Sequence, residues 1–285
     1  MKSKAAKSAI DIVVTLLIFG IGQLAGGIIS GVIIGLNGGS HSSYSSSYLV
    51  LALLPANVVT IVLLLFSRYL LTTMKWLEKV DFIEVINPSR LRWWLAPLML
   101  IASFAGAVAS GCLANAWGVE NTLEEAMLGL AKNPIGILTI VFIGPFAEEL
   151  VFRHSILGGM LRRGVHPWIA IIISSLLFGI IHWNPIQIFC ATVLGIMLGI
   201  LYTKTQSLVP SLMYHIINNG LSVVGMILSG NGDDPTDELF NTPFVLYGVA
   251  AISALICIPA YIYYWRKPGL VSYQQPNNDE PNTPN

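Results

Sequence analysis

Charge is what this chain lacks. Only 11% of its 285 residues are Asp, Glu, Lys or Arg, against about 25% in soluble domains. With 54% hydrophobic residues and a mean hydropathy of +0.71, that scarcity excludes an ordinary soluble domain and points to an integral membrane protein. The formal net charge is zero, and no basic run or aromatic–basic interleaving is present, so nucleic acid is not an expected partner. Cysteine is scarce too. Cys112, Cys190 and Cys257 lie far apart in apolar runs and form no CxxC pair, which leaves neither a disulfide framework nor a cysteine metal site. They read as small buried hydrophobes. HExxH and GxSxG are missing, so a zincin or a nucleophile-elbow mechanism has no support. There is no phosphate-binding glycine loop and no internal repeat.

Long apolar runs are abundant. Eight are candidates for membrane-crossing helices, at about 9–36, 48–70, 93–117, 134–160, 167–183, 186–203, 208–230 and 243–265. The fold class expected is therefore all-α, a polytopic membrane protein of about eight helices. The fifth and sixth runs are short and separated only by Trp183, Asn184 and Pro185. The first run, after "MKSKAAKSAI", is too long for a signal-peptide core of about 7–15 residues and reads as a retained helix. With the N-terminus inside, thirteen of the fifteen Lys and Arg fall on the cytoplasmic side: Lys2, Lys4, Lys7, Arg68, Lys75, Lys79, Arg90, Arg92, Arg162, Arg163, Lys204, Arg266 and Lys267. Glu120, Glu124, Glu125, Asp233, Asp234, Asp237 and Glu238 fall outside. That asymmetry predicts both termini in the cytoplasm.

The expected organisation is a transmembrane domain over 1–270, with a core at about 134–225, and a disordered cytoplasmic tail over 271–285, where Pro and Asn dominate. Residues 75–92 mix aromatic, apolar and charged positions and are expected along the inner membrane surface. Gly27, Gly31 and Gly35 on the first helix, and Gly195 and Gly199 on the sixth, have the spacing that lets helices approach closely.

The informative residues are the polar ones inside the apolar runs. "FIGPFAEELVFRHSIL" places Glu148, Glu149, Arg153 and His154 in the fourth helix. A charge at the bilayer centre costs about 2.5–3.5 kcal/mol on insertion scales. Glu149 and Arg153 are four apart, acid first, and can pair on one face. Glu148 lies about 100° away around the helix. An ion pair that fixes packing accounts for Glu149 and Arg153 and leaves Glu148 without its own cation. His182 ends the fifth run, at nearly the depth of Glu148 at about 1.5 Å rise per residue. His215 and Asn219 share a face of the seventh helix. A lone histidine in a membrane helix is commonly a packing group; two histidines, an asparagine and a glutamate at overlapping depths suggest one polar cavity. Glutamate and imidazole activate water with or without a divalent metal, and zinc is the ion such donors suit. Asn219 and a histidine are fit to donate to an oxyanion. These parts describe amide hydrolysis within the membrane. His154, His166 and His41 lack spacing partners and read as structural or solvated. Ser174, Ser175 and Ser211 read as small packing or back-bonding groups.

These residues resemble the motifs of the CAAX protease and bacteriocin-processing (Abi) family of intramembrane proteases. EExxxR stands at Glu148, Glu149 and Arg153, FxxxH at Phe178 and His182, and HxxxN at His215 and Asn219. The resemblance implies that Glu148 activates the attacking water with His182 as its partner. It implies that His215 and Asn219 form the oxyanion site and that Glu149 and Arg153 hold the first glutamate. In a metallo version Glu148, His182 and His215 are the metal ligands. Family members often carry glycine after the motif arginine; here it is His154. Eukaryotic relatives trim a tripeptide after a prenylated cysteine. The basic N-terminus places this chain instead in a bacterial plasma membrane, where a leader peptide, a bacteriocin or a membrane-protein segment is the expected substrate. A non-proteolytic regulator or bacteriocin-immunity protein keeping the fold is the competing reading. A proton or cation transporter is a third, and it lacks polar residues through "PIGILTIVFIGPF".

Overall fold

The structure is a computed structural model of the chain, and it describes residues 4–36, 46–73, 86, 94–121, 123–229 and 242–267. The expected tail over 271–285, residue 41 and nearly all of the expected surface segment 75–92 lie outside the described residues. The described elements are helical: α1 (Lys4–Leu36), α2 (Ser46–Thr73), α3 (Ala96–Ala116), the short α4 (Glu124–Ala131), α5 (Pro134–Arg162), α6 (Pro167–Ile180), α7 (Pro185–Thr205), α8 (Leu208–Ser229) and α9 (Pro243–Arg266). Helix α4 falls in a segment that composition marks only as an acidic outer loop.

Seven of these helices are long and apolar enough to cross a membrane. The eighth candidate, α6, has 14 residues, or about 21 Å of rise, short of the hydrocarbon core of about 30 Å. It begins at Pro167, where a missing N–H costs nothing, after Gly164 has turned the chain at φ 80°. Beyond Ile180 the chain does not stay helical to Trp183. Ile181 and His182 form a turn, and Trp183 takes a left-handed φ of 54°.

The buried centre is built by α5, α6 and α7, with Leu150, Phe152, Ile156, Leu157, Ile171, Phe178, Leu198 and Tyr202 in one cluster. Around it, α1 packs on α2, α9 on α3, and α6 on α7. Helix α1 shows why membrane helices associate. Its outer stripe, Val13, Leu17, Ile21, Leu24 and Ile28, is exposed, while Ser8, Asp11, Thr15 and Ser30 are buried. Lipid is as apolar as leucine, so small and polar residues line the contact instead. The glycines that make this contact are not the expected ones. A Cβ at Gly22 would collide with Thr60 and the Ala56 carbonyl, and one at Gly26 with the Ala52 carbonyl. Gly27, Gly31 and Gly35 face open space, because they lie on the outer side of the helix. Gly195 and Gly199 do pack as expected: a Cβ there would stand 3.0 Å from Ser175 Cα and 3.1 Å from Ile171.

Helix α5 is not uniformly α. Thr139–Ile143 and Glu149–Leu157 are π-helical, closing N–H to C=O bonds five residues back, as from Gly144 to Thr139 and Gly158 to Arg153. Such segments are rare and recur at functional sites. Carbonyls in them take bonds from side chains. Ser174 Oγ donates to Phe152 O at 2.8 Å, Asn219 Nδ2 to Ile140 O at 2.8 Å, and Arg162 Nη2 to His154 O at 3.3 Å.

Candidate active site

The six polar motif residues come from α5, α8 and the turn after α6. Glu149 sits at the start of the second π segment, fully buried, with Arg153 one turn on, 1% exposed. Arg153 Nη1 lies 3.3 Å from Glu149 Oε1. Its Nη2 donates to Gly195 O at 3.4 Å, and its Cζ stands 4.4 Å from the centre of the Phe178 ring. A cation over an aromatic face gains electrostatically, more so when desolvated. The expected i,i+4 pair is therefore present, and Phe178 and Gly195 complete its cage.

Glu148 is not left alone. His215 lies between the two glutamates, with Nδ1 3.1 Å from Glu149 Oε1 and Nε2 3.5 Å from Glu148 Oε2. Glu148 is also the accessible member, with 19% of its side chain exposed against none of Glu149. A chain of polar contacts thus runs Arg153, Glu149, His215, Glu148. Among the described residues His215, not His182, is the partner in ion-pair range of Glu148.

His182 reaches the site through Phe178. The Phe178 ring stands edge-on to His182 (centroids 5.1 Å, 87°) and to His215 (5.6 Å, 88°). His182 Nδ1 is 2.8 Å from the carbonyl of Phe178; if it carries the ring proton, Nε2 is the free acceptor. The turn that holds His182 is fixed just beyond it. Asn184 is fully buried and donates to Asn121 Oδ1 at 2.9 Å, and the Ile186 N–H donates to Glu120 O. Asn219, one turn past His215, is held by Ile140 O at 2.8 Å and receives a bond from Asn218 at 3.3 Å. An amide has two N–H donors, so one remains beyond the bond to Ile140.

The expectation that Glu148, His182 and His215 converge as metal ligands is not met. Among the described residues no three His, Cys, Asp or Glu side chains cluster as a metal site. Each ring nitrogen of His215 is turned to a carboxylate, and His182 sits outside the helix on its own turn. As arranged, this donor set does not fit a three-ligand metal.

Most other candidates separate cleanly. His154 is buried near Arg162 and Arg68 rather than in this cluster. His166 is exposed. Tyr214 is buried and bonds to Ala96 O. Ser175 bonds back within α6; Ser211 bonds back within α8 and also lies against Glu149, so it belongs to the wall of the cluster. Ser174 does more than the sequence suggests, since it supports the π segment. Neither the π segments nor their side-chain partners carry a sequence signal.

Fold and site together define a polytopic, all-α membrane protein with a buried Glu–Glu–Arg–His–Asn cluster. Residues 130–221, which contain all six motif residues, match a family model described as type II CAAX prenyl endopeptidase Rce1-like. The chain is 27% identical over 134 residues to a Bacillus subtilis (strain 168) protein named "Putative membrane peptidase YdiL", covering 46% of this chain and 54% of that one. It is 28% identical over 159 residues to "Membrane-embedded CAAX protease MroQ" of Staphylococcus aureus (strain USA300), covering 52% and 63%. Neither alignment reaches two thirds of the relative's length. No solved structure matches the chain. The resemblance read from the three motifs agrees with these comparisons, whose family match falls on the stretch that carries the motifs.

Proposed function

We propose that this protein is a membrane-embedded peptidase in which Glu148 activates the water that attacks a peptide carbonyl. The observation that carries the reading is the inequality of the two adjacent glutamates. Glu149 is sealed and spent on Arg153 and His215, while Glu148 keeps an accessible edge beside the His215 Nε2. A general base must be within reach of the proton it takes, and of the two glutamates only Glu148 meets that condition.

The roles follow from the contacts. Glu149 accepts from His215 Nδ1–H and so fixes the ring with Nε2 toward Glu148 and the attacking water. The water oxygen bonds to the carbonyl carbon, its proton passes to the Glu148–His215 pair, and the C=O electrons move to oxygen. The remaining Asn219 N–H stabilises that oxyanion; one such donor is typically worth about 10²–10³ in rate. Collapse breaks the C–N bond, and the held proton leaves with the amine. Arg153 positions Glu149 and does not touch substrate. A divalent metal, zinc by the chemistry of the donors, would require these side chains to rearrange, and no step is assigned to it.

The substrate would be a peptide or a membrane-protein segment, a leader peptide or bacteriocin among them, presented from the lipid bilayer. The setting would be a bacterial plasma membrane with both termini cytoplasmic, as the Lys and Arg distribution predicts. The test is hydrolysis of a quenched peptide library by protein reconstituted in lipid, wild type against Glu148→Ala, each with and without a zinc chelator. Cleavage by wild type alone supports the reading, and chelator sensitivity would add the metal. Equal cleavage by two folded proteins would refute the role of Glu148, and no cleavage by either would favour a non-proteolytic regulator or immunity protein.

A further inference from the structure

A second polar cluster lies at the other end of α5, away from the motif residues. Asp11 of α1 is buried and pairs with two arginines at once: Arg68 of α2 through Oδ1, and Arg163, just past α5, through Oδ2 at 2.9 Å. Arg68 Nη2 also donates to Thr15 Oγ1 at 2.6 Å, and Arg163 Nη1 to Gly159 O at 2.9 Å. Arg162 is within electrostatic range of Arg68. Its described hydrogen bond goes to a carbonyl, His154 O, and no carboxylate among the described residues is in ion-pair range of it.

The backbone is shaped for these side chains. A Cβ at Gly159 would stand 2.8 Å from Asp11 Oδ2 and 3.0 Å from Arg163 Nη1. One at Gly158 would stand 2.6 Å from Tyr202 Oη and 2.8 Å from Arg162 Nη1. Two consecutive glycines thus clear space for two guanidiniums. Among the described residues the site holds three arginines against one carboxylate, and that carboxylate has both oxygens occupied. Bonds to carbonyls orient guanidiniums but cancel no charge. Arg68 and Arg163 keep 15% and 12% of their side chains exposed, so the cluster is reachable from the helix ends. A guanidinium fork matches phosphate, and basic pockets between helix ends at a membrane surface suit lipid head groups.

We propose that Arg162, with Arg68 and Arg163 beside it, binds the phosphate of an anionic phospholipid in the leaflet at this end of the bundle. The test is the unfolding midpoint of detergent-purified protein titrated with phosphatidylglycerol, with phosphatidylcholine, and with inorganic phosphate. Wild type is expected to gain stability with phosphatidylglycerol only. Arg162→Gln should weaken the apparent affinity about fivefold, the effect of one basic residue at a membrane surface. Arg162→Lys should retain most of it. Asp11→Asn should lower the starting midpoint yet bind the lipid at least as well, since it removes the compensating charge. An equal response to both lipids, or an unchanged response in Arg162→Gln, overturns the proposal. A full response to inorganic phosphate overturns the lipid as source. Should Arg162→Gln not fold, the lysine variant and the wild-type lipid comparison still decide.

Discussion

The two adjacent glutamates should fail in different ways when replaced. Glu149 and Arg153 are both buried, at 0% and 1% exposure. Glu149→Ala strands the Arg153 guanidinium, with the Gly195 carbonyl at 3.4 Å and the Phe178 face as its remaining contacts. Breaking a buried pair from one side costs about 3–5 kcal/mol. His215 also loses its Nδ1 partner, worth about another 1 kcal/mol. Glu148→Gln keeps the shape of a side chain that is partly exposed and held by one 3.5 Å contact; its cost should stay below about 1 kcal/mol. The double variant Glu149→Leu, Arg153→Leu removes both charges together. Apolar replacement of a buried pair is often neutral, so it should recover most of the loss, short of the His215 bond. The measurement is SDS-titrated unfolding in mixed micelles, followed by the fluorescence of the seven tryptophans, with peptide hydrolysis read in parallel. Glu148→Gln should be folded and inactive, and the double variant folded and inactive. Equal destabilisation by Glu148→Gln and Glu149→Ala, or a double variant worse than Glu149→Ala, would refute the division of labour.

Three further outcomes follow from local contacts. Gly22→Val should destabilise by about 1–3 kcal/mol through overpacking against Thr60, whereas Gly31→Val, facing open space, should leave the unfolding midpoint nearly unchanged; a reversed order would refute the α1–α2 contact. Ser174→Ala should cost about 1–3 kcal/mol, because it leaves the buried Phe152 carbonyl unsatisfied. Ser175→Ala, whose hydroxyl bonds back to Ile171, should cost less in the same unfolding assay. Trp183→Gly should not destabilise the fold: the indole is 85% exposed, and glycine relieves about 1–2 kcal/mol of left-handed strain. A lower midpoint for that variant would mean that the indole makes a stabilising contact with lipid.

Sequence reasoning reached as far as helical periodicity and charge reach. Run lengths located the crossing helices, and the i,i+4 spacing located the Glu149–Arg153 pair, because both depend on position along one helix. Glycine spacing misled on α1. Gly22 and Gly26 have the same four-residue interval as Gly27 and Gly31, and only the partner helix decides which face is inside. His182 was placed on a helix because its run is apolar to Trp183, yet a left-handed Trp183 ends the helix early, and no residue type announces that. The partnership of His215 with Glu148 depends on how α8 crosses α5. It needs three dimensions, as does the failure of the metal set to converge. The Asp11 cluster joins residues 57 and 152 positions apart, and each of its arginines alone reads as an ordinary interfacial cation.

The π segments tie these results together. A carbonyl in a π turn offers itself to other donors when neighbouring helices supply them, and here α6, α8 and the end of α5 do so through Ser174, Asn219 and Arg162. In lipid an unsatisfied backbone group costs several kcal/mol, so the irregular helix and its polar neighbours depend on one another. Removing Ser174 or Asn219 should loosen the winding that sets Glu148 and Glu149 at their different depths of burial. Asn219→Ala is the sharper case, since it removes both the Ile140 bond and the spare N–H. It should lower stability by about 1–3 kcal/mol and hydrolysis by at least about 10²-fold. If stability falls while hydrolysis is untouched, Asn219 serves the helix alone and the oxyanion site must lie elsewhere.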